Sequence, residues 1–555
     1  MKRLVFAILI VAAVPAIAGA KYSGGSGTSD NPYQIGSAAD LLTLAADAND
    51  YNQSFILIAD INLDPNLPGN SVFTTAVIAR DTDNSNNSFE GVAFTGVFDG
   101  AGHKITKLTI NTNGAENDYL GLFGNIDGGE VKNLGLENVS ITGGLSSYST
   151  YIGGLAGENY GTISNCFSTG NLEGKAYFLG GLAGGNDGNI SDSCSAGTIT
   201  GSNDSGLLGG LVGENYGTIS NCFSTGNLEG KVYFIGGLVG GNDGSISNSY
   251  STGAITGWDD SSSLGGLVGD NYGTVSNCSS TGAVTAGQYS YYLGGLAGDN
   301  YGIISNCFST GDVAGSNESE LLGGLTGDNY YGSIDNSYSM GAVNGGDGSS
   351  YLGGLAGDNY AGDISNCFST GTVTSGAGSS YLGGLVGFES SGSIISCYFL
   401  VTSGPDNGLG TPLTDEEMKQ QNNYVGWDFN DIWAICEGTN YPRLLWSILA
   451  ADIICPDGVD IFDLAVLCEQ WLVEKIPADV APPGGDGIVN FADFAVFADQ
   501  WAVTQDIYAL LDFAEQWLKV GLPSHSADIS PSPGGDGIVN FADLAVMADY
   551  WLQGF

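Results

Sequence analysis

The sequence predicts a mainly-β protein: a single-stranded parallel β-helix, or solenoid, of about ten repeated coils with caps, followed by a small all-α domain. Three observations support this fold class. One string recurs almost unchanged, as IGGLAGENYGTISNCFSTGNLEG over residues 152–174 and as LGGLVGENYGTISNCFSTGNLEG over residues 208–230. Related segments place β-branched residues between Asn-Gly-type turns, which is typical of strands. After residue 450 the composition changes to amphipathic helical patterns.

The repeat has a period close to 29 residues. One coil of this length cannot bury its own apolar residues, so the core must form by stacking, with strands of neighbouring coils about 4.8 Å apart. The leucine of a recurring Gly-Leu pair marks ten units, the first of them divergent: Leu122, Leu155, Leu182, Leu211, Leu238, Leu267, Leu296, Leu325, Leu355 and Leu385.

Equivalent residues of successive units are expected to stack into ladders. An inward aliphatic ladder is predicted for Ile163, Ile190, Ile219, Ile246, Val275, Ile304, Ile334 and Ile364. A second inward ladder would contain Cys166, Cys222, Cys278, Cys307 and Cys367, with Ser193, Ser249 and Ser337 on the same shelf. Asparagines are expected to stack at a bend, where their amides satisfy one another: Asn165, Asn221, Asn248, Asn277, Asn306, Asn336 and Asn366.

The charge balance restricts the partners of the chain. Its 60 acidic and 13 basic residues give a net charge of −47. Nucleic-acid binding requires clustered Lys and Arg and is therefore not expected, whereas Ca²⁺ is a natural counter-ion for acidic loops outside the cell.

The beginning of the chain resembles an export signal. Lys2 and Arg3 precede an apolar run that ends in small residues at Ala18 and Ala20, the pattern of a secretory signal peptide over residues 1–20. No later stretch reaches about 18 apolar residues. We therefore expect a secreted, extracellular protein without membrane insertion, which is either soluble or attached to a cell surface through a partner.

The ten cysteines allow two interpretations. An exported chain with this many cysteines is compatible with disulfides. Seven of them lie in the repeats, most at one recurring position, and this pattern suits small buried apolar side chains.

Non-repeating segments flank the repeats and are expected to cover the open sheet edges of a solenoid. Residues 21–119 would form the N-terminal cap and first coils, with a short helix at Ala38–Ala46. Residues 402–448 would form the C-terminal cap, with a capped helix from Thr414 to Gln420 followed by Trp427, Phe429, Trp433 and Trp446.

The units over residues 120–401, such as GGLAGENYGTISNCFSTGNLEG, resemble the GLUG repeats of bacterial surface proteins. The string FTGVFDGAGHKITKLTI and the residues before it resemble the N-terminal cap and first coils of pectin-lyase-like β-helix proteins. The GLUG resemblance implies an extracellular β-helical stalk or adhesin-like protein and does not imply a reaction.

Residues 449–555 contain three aligned units, each with a D-G-x-x pattern before an amphipathic helix. The spacing matches the second half of an EF-hand-type loop, whose oxygen ligands suit Ca²⁺. The same Asn and Asp residues could instead only cap the helices. The candidate ligands are Asp452, Asp457, Val459, Asp460 and Asp463, then Asp479, Asp486, Ile488, Asn490 and Asp493, and finally Asp528, Asp536, Ile538, Asn540 and Asp543.

These units resemble dockerin type I repeats, which implies an F-hand loop with one helix and a cohesin-like or cell-surface protein as partner. They depart from the dockerin pattern at the start of each loop. Four, six and seven residues separate Asp452, Asp479 and Asp528 from the following Asp-Gly, where a dockerin has three.

Few residues are available for catalysis. His103 and His525 are the only histidines, and residues 151–401 contain only Lys175 and Lys231 as bases, which argues against a lyase acting on uronates. The acids before Asn-Tyr, such as Glu158 and Asp270, recur in each coil, whereas a hydrolase needs one unique pair of carboxylates. We therefore expect no catalytic residue.

One column of tyrosines follows asparagine in the same turn: Tyr160, Tyr216, Tyr272, Tyr301, Tyr330 and Tyr360. Exposed rings beside acids and amides could stack on sugar faces, or they could be ordinary turn residues. The sequence favours a secreted, non-catalytic β-helical adhesion or scaffold protein with a Ca²⁺-binding dockerin-like tail. The alternative is a β-helix carbohydrate-active enzyme that degrades polysaccharide within a dockerin-assembled complex.

Overall fold

The computed structural model describes residues 21–448, apart from residues 84, 85, 87, 116 and 144–148. The side chains of residues 149, 150, 203 and 204 are not described either. The expected signal peptide and dockerin-like module therefore lie outside the described residues. The chain divides into two compact units: unit 1 contains the residues up to 262 with 267–270, and unit 2 contains 263–266 and the residues from 271 onward.

Each unit is a parallel β-solenoid in which successive turns of the chain add strands to three sheets. We name them the isoleucine sheet, with its Thr-Ile-Ser strands, the asparagine sheet, whose strands contain the Asn of the turn, and the serine sheet. Neighbouring strands come from successive turns and pair in parallel, residue on equivalent residue. The predicted mainly-β parallel solenoid is therefore confirmed.

Unit 1 contributes strands to all three sheets. Its isoleucine sheet contains Tyr33–Ile35, Ser54–Leu57, Val97–Asp99, Glu130–Lys132, Thr162–Ser164, Asn189–Ser191, Thr218–Ser220 and Ser245–Ser247. Its asparagine sheet contains Phe123–Ile126, Ala156–Asn159, Ala183–Asn186, Val212–Asn215 and Val239–Asn242, and Val268–Asn271 lies where the chain divides. Its serine sheet contains Ile61–Asn62, Lys104–Thr106, Thr109–Asn111, Gly135–Thr142, Ser149–Gly153, Phe167–Gly174, Ala176–Gly180, Cys194–Gly209, Phe223–Ser224, Asn227–Gly236, Tyr250–Ser251 and Ile255–Gly257.

Unit 2 repeats the arrangement with shorter strands. Its isoleucine sheet contains Thr274–Ser276, Ile303–Ser305, Ser333–Asp335, Asp363–Ser365 and Ser393–Ile395, and its asparagine sheet contains Ala297–Asn300, Thr326–Tyr330, Ala356–Tyr360 and Val386–Ser390. Its serine sheet contains Ser263–Gly265, Ser279–Ser280, Val284–Ala286, Tyr291–Gly294, Phe308–Ser309, Val313–Gly315, Glu320–Gly323, Tyr338–Ser339, Val343–Gly345, Ser350–Gly353, Phe368–Ser369, Val373–Ser375, Ser380–Gly383, Tyr398–Leu400 and Thr411–Leu413.

The predicted aliphatic ladder forms the core of the isoleucine sheet. Ile163 pairs with Ile190, and Ile304 with Ile334, on directly adjacent strands. Every member of the predicted ladder is at most 1% exposed. The recurring leucines are equally buried, so each coil covers the apolar surface of the next.

The cysteine shelf is also present, and its cysteines are not joined by disulfides. Cys166, Cys222, Cys278, Cys307 and Cys367 are buried, and none of the seven repeat cysteines forms a disulfide. Where serine occupies the shelf it bonds to the coil beside it: the backbone N–H of Cys166 donates to Ser193 Oγ at 3.0 Å. Burial raises the pKa of the Cys166 thiol to about 12, so it is an inert packing group. Outside the repeats, Cys436 is disulfide-bonded.

Two asparagine columns run through each unit, and they have different roles. The predicted column, from Asn165 to Asn366, lies at a bend in the left-handed backbone conformation, with φ between 47° and 53°. A second column, which the sequence reasoning did not single out, is 0% exposed and forms the continuous side-chain ladder. In it each Nδ2 donates to the Oδ1 of the next coil at 2.7–2.8 Å, through Asn159, Asn186, Asn215 and Asn242 in unit 1 and Asn271, Asn300, Asn329 and Asn359 in unit 2.

The glycine after the Asn-Tyr or Asn-Asp turn is required by close coil contact. A Cβ atom on Gly217 would lie 2.0 Å from the carbonyl oxygen of Gly188, and one on Gly244 would lie 2.1 Å from that of Gly217. No side chain fits at such a distance, so this position must stay glycine from coil to coil.

The flanking segments contain the helices. The predicted helix at Ala38–Ala46 is present, and Ser37 caps it by accepting from the Asp40 N–H. A 3₁₀ helix follows at Ala48–Asp50. Near the C-terminal end, the helix Asp415–Met418 begins with a capping box between Thr414 and Glu417. It is shorter than predicted and is followed by 3₁₀ helices at Gln421–Asn423 and Leu445–Ser447.

Residues 402–448 pack beside the coils of unit 2. Their aromatic cluster, with Trp427 and a fully buried Trp433, covers the stacked rings of Phe308, Tyr338 and Phe368 on the serine sheet, and Tyr398 follows Phe368 in register on the next strand. A short antiparallel pair, Trp433–Ala434 with Arg443–Leu444, supports this cluster. The segment was expected to cover the edge of the sheet: its strand Thr411–Leu413 pairs with Tyr398–Leu400 of the serine sheet, and its aromatic residues also cover this face. No helix among the described residues reaches the eighteen-residue apolar length that a membrane crossing requires.

Two neighbouring isoleucines provide a test of the ladder. Ile304 is 0% exposed and Ile303, in the same strand, is 48% exposed. We expect Ile304→Ala to lower the free energy of unfolding by about 2–5 kcal/mol, because a cavity opens between coils. Ile303→Ala should change it by less than about 0.5 kcal/mol. Urea unfolding followed by circular dichroism measures both, and equal losses would contradict the assignment of Ile304 to the core.

Candidate functional site

The asparagine sheet aligns the carboxylates that precede the ladder asparagines. In unit 2, Asp299, Asp328 and Asp358 lie in direct register on adjacent strands. In unit 1, Glu158 and Glu214 both pair with Gly185, which lies between them. The side chains of Glu158, Glu214, Asp299 and Asp328 are at most 6% exposed.

The carboxylates of unit 2 resist ionisation. Burial, together with the neighbouring carboxylates Asp299 and Asp358, raises the pKa of Asp328 to about 8. Its Oδ1 atom is buried without a hydrogen-bond partner. Burial also raises the pKa of Asp358. A neutral carboxyl is therefore favoured in this column over a wide pH range.

The carboxylates of unit 1 have different surroundings. Burial raises the pKa of Glu158 to about 7, although Glu158 accepts a hydrogen bond from the Tyr160 hydroxyl at 2.8 Å and one from Asn125 Nδ2 at 3.1 Å. Burial raises the pKa of Glu214 to about 8, aided by a hydrogen bond with the Asp243 carboxyl. The two turns have the same sequence, Gly-Glu-Asn-Tyr-Gly, but their glutamates have different hydrogen-bond partners: Tyr160 and Asn125 for Glu158, and Asp243 for Glu214.

The six candidate tyrosines divide into two kinds. In unit 2, Tyr272 stacks on Tyr301 with ring centroids 4.5 Å apart, and Tyr330 stacks on Tyr360 at 4.9 Å. Tyr301 and Tyr330 meet edge to face at 5.4 Å, which completes a column of four rings. In unit 1, aspartates occupy the turns after those of Tyr160 and Tyr216.

The column in unit 2 limits how its rings can bind a ligand. Stacked rings cover one another's faces, so the face needed to stack on a sugar is largely occupied within the column. The ring edges and hydroxyls remain at the surface. Tyr160 and Tyr216 have no such ring in the next coil, and each is about half exposed, at 47% and 57%.

A cleft of about 820 Å³ borders Tyr160 in unit 1. It is formed where residues 48–52 and 89–95 of the N-terminal segment lie against the first coils. The aromatic residues Tyr51, Phe89 and Tyr160 line it, together with amide and acidic side chains, among them Asn125 and Asp127. The structure therefore separates Tyr160 from the other five candidates, since it alone among them lines this cleft.

Sequence reasoning missed the other cleft residues. Tyr51, Phe89 and Asn125 lie outside the ten-unit pattern or in its divergent first unit, so no recurring position marked them. The divergent sequence of the first unit was the available signal, because residues from outside the repeat can pack against a coil only where the repeat pattern is interrupted.

The metal and histidine predictions have separate outcomes. All fifteen candidate Ca²⁺ ligands, from Asp452 to Asp543, lie outside the described residues. Within residues 21–448 as described, no group of three or more His, Cys, Asp or Glu side chains is placed to hold a metal ion. His103 lies in a turn, with its Nδ1 3.1 Å from Asp60 Oδ1.

The carboxylate column predicts an unusual pH dependence of stability. A carboxyl with a raised pKa in the folded state holds a proton that the unfolded chain has lost, so stability falls as pH rises from about 4 to 8. We expect Asp328→Asn to stabilise unit 2 at pH 8 by about 1–3 kcal/mol and to have little effect near pH 4. Urea unfolding across this pH range measures the difference.

Asp30→Asn, at an exposed position, is the control for removal of one acid. Its pH profile should be parallel to that of the unchanged chain. A parallel profile for Asp328→Asn as well would show that Asp328 does not titrate in this window.

The comparisons with known proteins agree with the repeat architecture. The family model of the GLUG motif matches residues 148–173, 204–229, 235–256, 260–285, 289–314 and 348–374. A stretch of 146 residues is 37% identical to halomucin of Haloquadratum walsbyi, and it covers 25% of this chain and 1% of halomucin. A stretch of 149 residues is 35% identical to a protein of Evansella cellulosilytica provisionally described as a Gly-rich membrane protein, covering 26% of this chain and 15% of that protein.

One solved structure is also similar, a protein of Bacteroides ovatus provisionally described as an immunoglobulin A1 protease. The match covers 78% of this chain and 97% of that one, at 19% identity and a TM-score of 0.28, which is too low to carry an argument. The likeness to the two sequence relatives is confined to a small part of their length. What the comparisons and the fold establish together is that this chain carries GLUG motifs on the coils of a parallel β-solenoid.

Proposed function

We propose that the chain is a secreted, non-catalytic β-helical adhesion or scaffold protein of the cell surface. Its coils present a polysaccharide-binding surface, and its dockerin-like tail binds Ca²⁺ and attaches it to a cohesin-like or other cell-surface partner. It binds no nucleic acid and does not insert into the membrane.

One observation carries this proposal: the polar side chains of the coils form columns that repeat from level to level. The columns of buried asparagines and carboxylates hold an exposed column at the surface, in which Tyr272, Tyr330 and Tyr360 recur at one position per turn and are 36–54% exposed. A repeated surface suits attachment to a polymer through many weak contacts, whereas catalysis needs one constellation that differs from its neighbours.

The relatives support the location. Halomucin and the Gly-rich membrane protein carry names that fit the cell envelope, and both match this chain at over a third of the aligned residues. A net charge of −47 keeps such a chain from anionic partners and suits a site where Ca²⁺ is abundant.

The tail is tested by calcium titration of the full chain after removal of bound metal. We expect saturable heat with Ca²⁺, which falls strongly when Asp493→Ala and Asp543→Ala are combined, because the two residues would supply the carboxylates at the last position of two of the three loops. Isothermal titration calorimetry measures the effect.

The control removes two acids elsewhere, with Asp30→Ala and Glu416→Ala combined. It should titrate like the unchanged chain. No saturable heat, or equal heat in both double variants, would remove the calcium proposal.

A carbohydrate-active enzyme is the second candidate, and one observation favours it. Glu158, whose pKa burial raises to about 7, hydrogen-bonds two residues that line the cleft beside Tyr160. A carboxyl that holds its proton near neutral pH can act as a general acid.

An activity screen of the purified full chain on polysaccharides separates the two candidates. We expect no turnover. Turnover that Glu158→Gln abolishes, while Glu214→Gln at the equivalent position leaves it intact, would establish the enzyme and reject the non-catalytic proposal.

A further inference from the structure

At the cleft beside Tyr160, residues from outside the repeat pack against a repeat turn. Residues 157–162 and 213–218 have the same sequence, GENYGT. Only the first of these turns is flanked by the N-terminal segments at 48–52 and 89–95. A ligand site that needs several different side chains at fixed positions can therefore form at Tyr160 and has no counterpart at Tyr216.

The side chains of the cleft are held in place before any ligand arrives. The Tyr160 backbone N–H donates to the Ile126 carbonyl at 2.7 Å, and its hydroxyl donates to Glu158 Oε1 at 2.8 Å. Asn125, which is 4% exposed, donates to the other carboxylate oxygen of Glu158 at 3.1 Å. Glu158 thus positions an aromatic ring and an amide together, which reduces the entropy lost on binding.

Aromatic surface is available on the opposite wall. Phe89 packs edge to face on Tyr119, with centroids 5.3 Å apart and planes at 78°. Tyr51 is buried and its hydroxyl donates to the Ala45 carbonyl at 3.2 Å, so its ring forms a fixed part of the wall. Flat apolar rings with a few convergent polar groups are the usual composition of a small-ligand site.

The charges of the cleft select the class of ligand. Asp127 contributes a carboxylate and Asn49, Asn52 and Asn125 contribute amides, and none of the described lining residues is basic. Arg80 acts electrostatically on the Tyr51 hydroxyl but does not line the cleft. In a chain of net charge −47, an anionic ligand would be repelled here.

We propose that the cleft between residues 48–52, residues 89–95 and Tyr160 binds a neutral sugar chain. The rings of Tyr160 and Phe89, which are at least partly exposed, contact the C–H faces of the sugar, and the exposed amides of Asn49 and Asn52 with the Asp127 carboxylate bind its hydroxyl groups. This inference deepens the proposed polysaccharide-binding function and rests on it, but it assigns binding to one unique site in unit 1 in addition to the repeated columns.

The test measures binding of the full chain to neutral glucans, xylans and mannans and to uronate-containing polysaccharides, by calorimetry with soluble samples. We expect binding to at least one neutral polymer, weakened about tenfold or more by Tyr160→Ala. Phe89→Ala is a second variant on the other wall and should also weaken binding. The control is Tyr233→Ala, which removes a comparably exposed tyrosine (57%) of unit 1 that belongs neither to the cleft nor to the candidate tyrosine column, and it should change affinity less than about twofold.

The possible outcomes distinguish binding at the Tyr160 cleft from polysaccharide binding elsewhere on the chain. Equal affinities for the unchanged chain and for Tyr160→Ala and Phe89→Ala, each with an unchanged circular dichroism spectrum, would overturn the cleft assignment and leave polysaccharide binding to the repeated columns. Binding of uronate polymers alone would overturn the neutral ligand class. Binding to no sugar would reject both this inference and the polysaccharide part of the proposed function, without affecting the calcium test.

Discussion

The structure depends on the stacking of each coil on a nearly identical one. In a parallel solenoid every side chain lies against its own equivalent in the adjacent coil, so a residue is acceptable only if it interacts well with a copy of itself. Isoleucine meets this condition because it buries apolar surface on both sides. Asparagine meets it because its amide is both donor and acceptor, so that Asn186 accepts from Asn159 and donates to Asn215.

Carboxylates do not meet this condition when they are ionised, and the two units solve the problem differently. In unit 1 a glycine separates Glu158 from Glu214, which places the two acids two coils apart. In unit 2 Asp299, Asp328 and Asp358 occupy successive coils. Burial keeps Asp328 protonated to about pH 8, and a protonated carboxyl neither repels its neighbours nor requires a counter-ion.

The same constraint divides the surface into two functional classes. Columns that repeat with the coil offer many equivalent weak contacts, and the stacked tyrosines of unit 2 belong to this class. The cleft at Tyr160 belongs to the other class because residues from outside the repeat complete it. Glu158 links the two, since it is a column residue whose hydrogen bonds position the Tyr160 hydroxyl and the Asn125 amide.

The sequence by itself determined the period, and in a stacked fold the period decides which residues align. The isoleucine ladder and the cysteine shelf could therefore be predicted residue by residue, whereas the helix at Ala38–Ala46 was predicted from its own local sequence, outside the repeats. Only the tertiary structure decided which asparagine of each repeat points inward: Asn159 joins the buried ladder, whereas Asn165 takes the left-handed bend. Both are polar residues next to turns. Which of the two is buried depends on where the three strands of a coil, which differ in length, begin and end. The cleft could not be predicted from the repeat pattern either. Tyr51 and Phe89 lie in segments without a repeat, far in sequence from Tyr160, and only folding brings the three residues together.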